Sequence, residues 1–161
     1  MSRIYVASSW RNLKQIEVVG ELRDAGHDVY DYREPCYAGP RGCSVTVGMA
    51  KGGFDWKELD PSWKDWDAAT YRDRLLQSPI AAHGFLSDLR AMRWADTFVL
   101  VMPCGRSAHL EAGWAAGAGK RTIILLDDGE PELMNLLADE LVVSVDELVM
   151  LLGGQGIGGA A

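Results

Sequence analysis

Five short apolar runs set the rhythm of the chain. They are Arg3–Ala7 (RIYVA), Asp28–Tyr32 (DVYDY), Thr97–Met102 (TFVLVM), Thr122–Leu126 (TIILL) and Leu141–Ser144 (LVVS). Each has the length of a strand and is rich in β-branched or aromatic residues. The runs at 97–102 and 122–126 are continuously apolar, as expected of strands buried on both faces. Between the runs the period changes to that of a helix. Leu13, Ile16, Val19 and Leu22 recur through Asn12–Ala25, and Gly26 stands where a helix C-terminus favours it. Further helices are predicted over Asp65–Gln77, from the Ser78 cap and Pro79 to about Ala95, over Ser107–Gly119, over Glu132–Ala138 and over Val145–Leu152. Strand, helix, glycine, strand within about thirty residues is a βαβ unit, which demands parallel strands. The prediction is a single α/β domain over 1–152, with a doubly wound, Rossmann- or flavodoxin-like sheet of about five parallel strands.

One stretch breaks this rhythm. Residues 33–66 hold Pro35, Gly39, Pro40, Gly42, Gly48, Gly52, Gly53 and Pro61, together with Tyr37, Phe54, Trp56, Trp63 and Trp66. A long loop in a compact domain is usually functional or disordered, and this many aromatics disfavour disorder. The segment is expected to be an ordered aromatic flap over a pocket. Residues 153–161 read as a flexible, Gly-rich tail.

Composition narrows the function. With 161 residues the chain has enough volume for a core without metal or disulfide staples. A net charge of -7 disfavours a nucleic-acid polymer as partner, since that needs a basic face, but it leaves room for a small anion held by local donors. Cys36, Cys43 and Cys104 form no CxxC pair, so no metal centre is expected, and an odd thiol count fits a reducing compartment. The first residues carry no secretory pattern, and no apolar run reaches the ~20 residues of a membrane span. A cytoplasmic protein is expected, with no membrane partner and no cofactor.

In doubly wound sheets ligands bind beyond the carboxyl ends of the strands. That rule selects the segments 7–12, 103–111 and 127–131. The second is the richest: Pro103-Cys104-Gly105-Arg106-Ser107-Ala108-His109-Leu110-Glu111. Gly105 and Ser107 suit a tight turn into a helix, Ser107 as its N-cap, and the free N–H groups there attract anions. Arg106 can clamp a phosphate or carboxylate. Glu111 is expected near the first turn, where the dipole holds it ionised, as suits a nucleophile. On spacing alone it is equally an ordinary first-turn glutamate. Asp88 lies beside the apolar stripe of Phe85, Leu89, Met92 and Ala95, where a lone aspartate reads first as a solvated residue. Tyr5 reads first as core, with a hydroxyl that needs a partner. Ser8 and Trp10 follow the first strand, and Trp10 serves loop packing and base stacking equally well. His83 and His109 read as surface residues. The small residues Gly113–Ala118 suit close helix–sheet or subunit packing.

In order along the chain, Ile4-Tyr5-Val6-Ala7-Ser8-Ser9-Trp10, then Ser87-Asp88-Leu89-Arg90-Ala91-Met92-Arg93-Trp94-Ala95-Asp96, then Arg106–Gly113 followed by Gly119-Lys120-Arg121 resemble the nucleoside 2-deoxyribosyltransferase superfamily, including its 2′-deoxynucleoside 5′-phosphate N-hydrolase branch. The resemblance implies cleavage of the N-glycosidic bond of a (deoxy)nucleoside or nucleotide, by hydrolysis or by deoxyribosyl transfer. It implies Glu111 as the nucleophile at C1′, Asp88 as the residue that holds the sugar and assists the leaving base, and Tyr5 beside the nucleophile. Ser8, Trp10, Gly105, Arg106, Ser107 and Trp56 complete the expected substrate-binding set. The transferase pattern has an acidic residue where this chain has Gly105, and the neighbouring Arg106 and Ser107 shift the expectation toward nucleotides. The resemblance also implies a homo-oligomer. Two other readings fit the same residues: a TIR-like NAD-cleaving enzyme, and a non-catalytic nucleotide-binding module.

Overall fold

In a computed structural model, residues 1–34, 36–39, 42–46, 54–127 and 132–153 are described, those of 36–39 and 42–46 by their backbone alone. The strands are β1 (Arg3–Ala7), β2 (Asp28–Asp31), β3 (Cys36–Gly39), β4 (Gly42–Thr46), β5 (Thr97–Val101), β6 (Arg121–Leu125) and β7 (Glu140–Val142). The helices are α1 (Lys14–Asp24), α2 (Trp56–Leu59), α3 (Ala68–Gln77), α4 (Pro79–Trp94), α5 (Arg106–Gly117) and α6 (Val145–Gly153). The sheet order is β4-β3-β2-β1-β5-β6-β7. The five strands expected from the apolar runs, β2, β1, β5, β6 and β7, pair in parallel.

The sheet is wider than the sequence suggested. β3 pairs antiparallel with β2, and β4 with β3, so part of the expected flap is a hairpin that covers the open edge of β2. The Gly39-Pro40-Arg41-Gly42 run is the turn signal that marks it in the sequence. Glu132–Ala138, expected as an α-helix, forms a 3-10 helix over Leu133–Leu137. Of the predicted tail only Gly153 is among the described residues, and Tyr37 of the flap has no described side chain.

Strand alternation sorts the core into two layers. Ile4 and Val6 of β1 point to one face, where they join Val18, Val19 and Leu22 of α1 and Leu148 and Leu152 of α6. Tyr5 and Ala7 point to the other, with Ala91 and Met92 of α4 and Ala108, Ala112 and Ala115 of α5. The alanines of α5 let that helix sit close to the sheet. Gly113 and Gly117 lie instead on its exposed side, where an added Cβ would meet nothing within 4 Å. Ser78 caps α4 as expected, accepting from the Ala81 N–H, with Pro79 as the first helical residue. The chain runs from β1 to β2 and then returns to β5 on the other side of β1. The topological switch therefore lies between β1 and β5, and their C-terminal loops flank it.

Candidate active site

Three aromatic rings cross the sheet just below this switch. Tyr5 stacks on Tyr30 of β2 with ring centroids 5.3 Å apart, and on Phe98 of β5 at 5.2 Å. The register sets this row, since Tyr5 pairs with both Tyr30 and Phe98. One tier nearer the strand ends, on the same face, stand Tyr32, Ala7 and Leu100.

Two carboxyl groups meet the hydroxyls of the aromatic row, one at its central ring and one at the Tyr30 end. The Tyr5 hydroxyl donates to Glu111 Oε2 at 3.3 Å, and the Tyr30 hydroxyl donates to Asp88 Oδ1 at 2.9 Å. Burial pushes Glu111 up to about 8, with the Asp88 charge adding to it and the Tyr5 hydrogen bond opposing it. Burial pushes Asp88 up to about 6, against the hydrogen bond from Tyr30. Tyr5 lies well above the usual phenol range, first because it is buried and then because Glu111 and Asp88 face it. Tyr5, Asp88 and Glu111 thus form one electrostatic cluster on one face of the sheet.

Two sequence expectations need correction here. The N-cap of α5 is Gly105, so Ser107 is the second helical residue rather than the cap, and it offers no side-chain cap. Glu111 therefore sits in the second turn, beyond the strongest reach of the helix dipole. There, desolvation outweighs the dipole and its carboxyl is held toward the neutral form instead of being kept ionised.

The other expected site residues divide. Ser8 Oγ donates to the Val101 carbonyl at 2.8 Å, so its proton is engaged in joining the β1 and β5 loops. Trp10 is 46% exposed and meets Tyr32 edge-on at 5.2 Å. Arg106 and Ser107 are exposed at the start of α5, and Arg106 forms no ion pair among the described residues. Trp56 makes its ring contacts with Phe54, Trp63, Trp66 and Tyr71. Phe54 seats this cluster on α4, where a Cβ at Gly84 would come within 2.7 Å of it. Gly84 is one turn before Asp88, so the aromatic segment flanks the site along α4. Of the segment 127–131, Asp127 is described, 3.8 Å from Lys14.

Several residues that hold the site together went unread in the sequence. Asn12 Nδ2 donates to Ser8 Oγ at 3.1 Å and to the carbonyls of Met102 and Pro103 at 3.0 and 3.1 Å, locking the two loops at the switch. Arg33 Nε donates to Gln15 Oε1 at 2.6 Å, while its NH2 group reaches the carbonyls of Ser9, Trp10 and Asn12. Gln15 in turn donates to Asp31 at 2.9 Å. Period-two alternation in Asp28–Tyr32 would have placed Tyr30 and Tyr32 on the face of Tyr5; no sequence pattern points to Asn12 or Arg33. A separate cavity of about 110 Å³ lies between α5 and the 3-10 helix, lined by Ala112, Ala116, Ile124 and Leu137. None of Tyr5, Asp88 and Glu111 lines it, so its position does not suit their chemistry. Among the described residues no cluster of His, Cys, Asp and Glu could hold a metal ion, and no helix is long and apolar enough to cross a membrane.

No family model and no curated protein sequence matches the chain. A solved structure does, that of the 2-deoxyribosyltransferase from Bacillus psychrosaccharolyticus, with a TM-score of 0.54 and 20% identity over 91% of this chain and 89% of that one. At that identity the likeness is one of architecture: this chain is built on the α/β fold of the 2-deoxyribosyltransferases.

Proposed function

We propose that the protein cleaves the N-glycosidic bond of a (deoxy)nucleoside or nucleotide, with Glu111 as nucleophile. The observation that carries this reading is the Glu111 carboxyl itself, half-buried, hydrogen-bonded by Tyr5, and electrostatically coupled to a second raised carboxyl, Asp88. Such a pair holds about one proton between them at neutral pH. The prevailing form keeps that proton on Glu111; the reactive form is the minor tautomer in which the proton has moved to Asp88 and Glu111 is ionised. Glu111 attacks C1′, the bond from C1′ to the base nitrogen breaks, and the departing base takes the proton from Asp88. Water then attacks C1′, gives a proton to Asp88 and frees Glu111; a second base in place of water gives transfer. The Tyr5 hydroxyl holds the Glu111 carboxyl in position. Its burial keeps it a neutral donor throughout.

Arg106, Ser107 and the N–H groups at Gly105 suit the 5′ end of the substrate, and a phosphate there is part of the proposal. The proposal also includes a homo-oligomer, supported by Leu110 at 77% and Trp114 at 37% exposure beside the open Gly113; a monomeric mass by light scattering at micromolar concentration would remove that part. The test of the activity is chromatography for free base after incubation with nucleosides, 2′-deoxynucleosides, their 5′-phosphates and NAD. Release of base from a nucleoside or nucleotide but not from NAD is expected; no release from any of them defeats the reading. The pH profile of that release should be bell-shaped, with limbs near 6 and 8. Below the first limb both carboxyls are protonated and the nucleophile is lost. Above the second both are ionised and the leaving base has no donor. A rate that is flat from pH 5 to 9 contradicts the shared-proton mechanism.

A further inference from the structure

The aromatic row below the switch carries one group that packing does not require. Phe98 and Tyr30 flank Tyr5 in register, with ring centres 5.2 and 5.3 Å from it and interplanar angles of 14° and 16°. Both rings are fully buried. Phe98 shows that a plain ring satisfies the stack. Tyr30 adds a hydroxyl, and a buried hydroxyl is costly unless it finds partners. It finds them on two consecutive residues of α4, Asp88 Oδ1 at 2.9 Å and Ser87 Oγ at 3.4 Å.

A phenol has one proton to give, and an ionised carboxylate can only accept. The Tyr30 proton therefore goes to Asp88, and the buried Ser87 hydroxyl donates in turn to the Tyr30 oxygen. The chain runs from Ser87 to Tyr30 to Asp88. Its direction decides which Asp88 oxygen can carry a proton. Oδ1 is engaged as an acceptor, and Oδ2 receives no hydrogen bond among the described residues. A proton on Oδ1 would face the Tyr30 oxygen, reverse the chain and be held inside the fold. A proton on Oδ2 leaves the chain intact and stays available for transfer. The Tyr30 donor also favours the ionised carboxylate, opposing the burial that pushes Asp88 up to about 6.

We propose that Tyr30 is the positioning residue of the acid: backed by Ser87, its hydroxyl fixes Asp88 Oδ1 as the accepting oxygen and leaves Oδ2 to carry the proton that the departing base takes. The inference rests on the glycosidase reading and deepens it. As the bond from C1′ to the base nitrogen breaks, the Oδ2 proton passes to the base, and the Tyr30 hydroxyl steadies the carboxylate left behind. The attacking water later returns a proton to Oδ2. Without the Tyr30 hydroxyl the carboxyl can turn about its bond, and neither oxygen is reserved for the proton.

The test uses Tyr30→Phe, which keeps the stacked ring, and Ser87→Ala as a milder second variant. The first readout needs no substrate. It is the titration midpoint of the Asp88 carboxyl, followed by carbon-13 NMR and assigned with Asp88→Asn. Tyr30→Phe is expected to move that midpoint up by about 1–2 pH units, and Ser87→Ala to move it less in the same direction. A midpoint that stays in place in Tyr30→Phe overturns the proposal. The second readout is base release from 2′-deoxyguanosine 5′-phosphate and from its 7-methyl derivative, whose base leaves as a neutral molecule without a proton from an acid. Tyr30→Phe is expected to lose about 10–100-fold in kcat on the first substrate, with KM little changed, and to match wild type on the second. Equal losses on both would mean that Tyr30 only supports the fold, and would overturn the proposal. A wild type that releases base from neither removes proton delivery by Asp88 and counts against the glycosidase reading itself. A fixed midpoint with normal base release removes the role of Tyr30 alone, so the two failures are distinguishable.

Discussion

Glu111→Gln should lower base release by about 10³-fold or more while leaving the protein folded. The glutamine keeps the shape of the side chain and can still accept from Tyr5, so the geometry of the aromatic row is preserved. What it lacks is a nucleophilic oxygen with a full negative charge. Glu111→Ala should be equally inactive, because it removes the carboxyl altogether. The chemical intermediate can be sought directly. A 2-fluorinated arabinosyl nucleoside should leave a glycosyl adduct on the wild type, seen as added mass on the intact protein, because fluorine destabilises the cationic transition state that the second step must also cross. Neither variant should acquire that mass. If Glu111→Ala releases base as fast as the wild type, Glu111 is not the nucleophile, and the cluster of Tyr5, Asp88 and Glu111 is structural.

The same substitution should stabilise the protein at alkaline pH. Glu111 has an ordinary carboxyl pKa near 4.5 when unfolded and about 8 when folded. Between those values the native state holds a proton that the unfolded state has lost, so stability falls as pH rises through this window and levels off above it. Below pH 4.5 both states are protonated and the burial of Glu111 carries no charge penalty. Above pH 8 the native protein holds an ionised carboxylate in a half-buried site that also feels the Asp88 charge. Glu111→Gln removes that carboxylate. The expected gain is on the order of 3 kcal/mol at pH 9, or roughly 5–10 °C in Tm for a chain of this size, and little at pH 4. Thermal unfolding of both proteins at the two pH values is the measurement. A variant less stable than wild type at pH 9, or a Tm difference that does not change with pH, would show that Glu111 is not held toward its neutral form. A gain together with lost activity is the expected mark of a strained functional carboxyl, and an ordinary surface glutamate would show neither.

How much of this was legible beforehand depends on the range of the forces involved. The alternation of apolar and polar positions is local, and so the five parallel strands, the capped start of α4 at Ser78-Pro79 and the two-layer arrangement follow from the sequence. Tyr5, Asp88 and Glu111 stand out through the resemblance of the runs that hold them; by local pattern alone Tyr5 reads first as core, Asp88 as a solvated residue and Glu111 equally as an ordinary first-turn glutamate. Their meeting could not be read in the same way. It depends on the register that sets Tyr30, Tyr5 and Phe98 side by side, and on the alanines of α5 that bring Glu111 down onto the row. The protonation of Glu111 departs from the sequence expectation for the same reason. Dipole and cap arguments need only neighbours in the chain, whereas desolvation depends on what the rest of the fold packs around a carboxyl. The start of α5 at Arg106 rather than Ser107 moved Glu111 away from the dipole and left burial to decide. Glycine and proline interrupt the pattern of the β3 and β4 hairpin, so the sequence predicts a flap there, and only pairing with β2 makes strands of those residues. Asn12 and Arg33 belong wholly to the tertiary structure: nothing in their local sequence distinguishes them, and their roles arise from carbonyls and rings brought together from separate loops at the switch between β1 and β5.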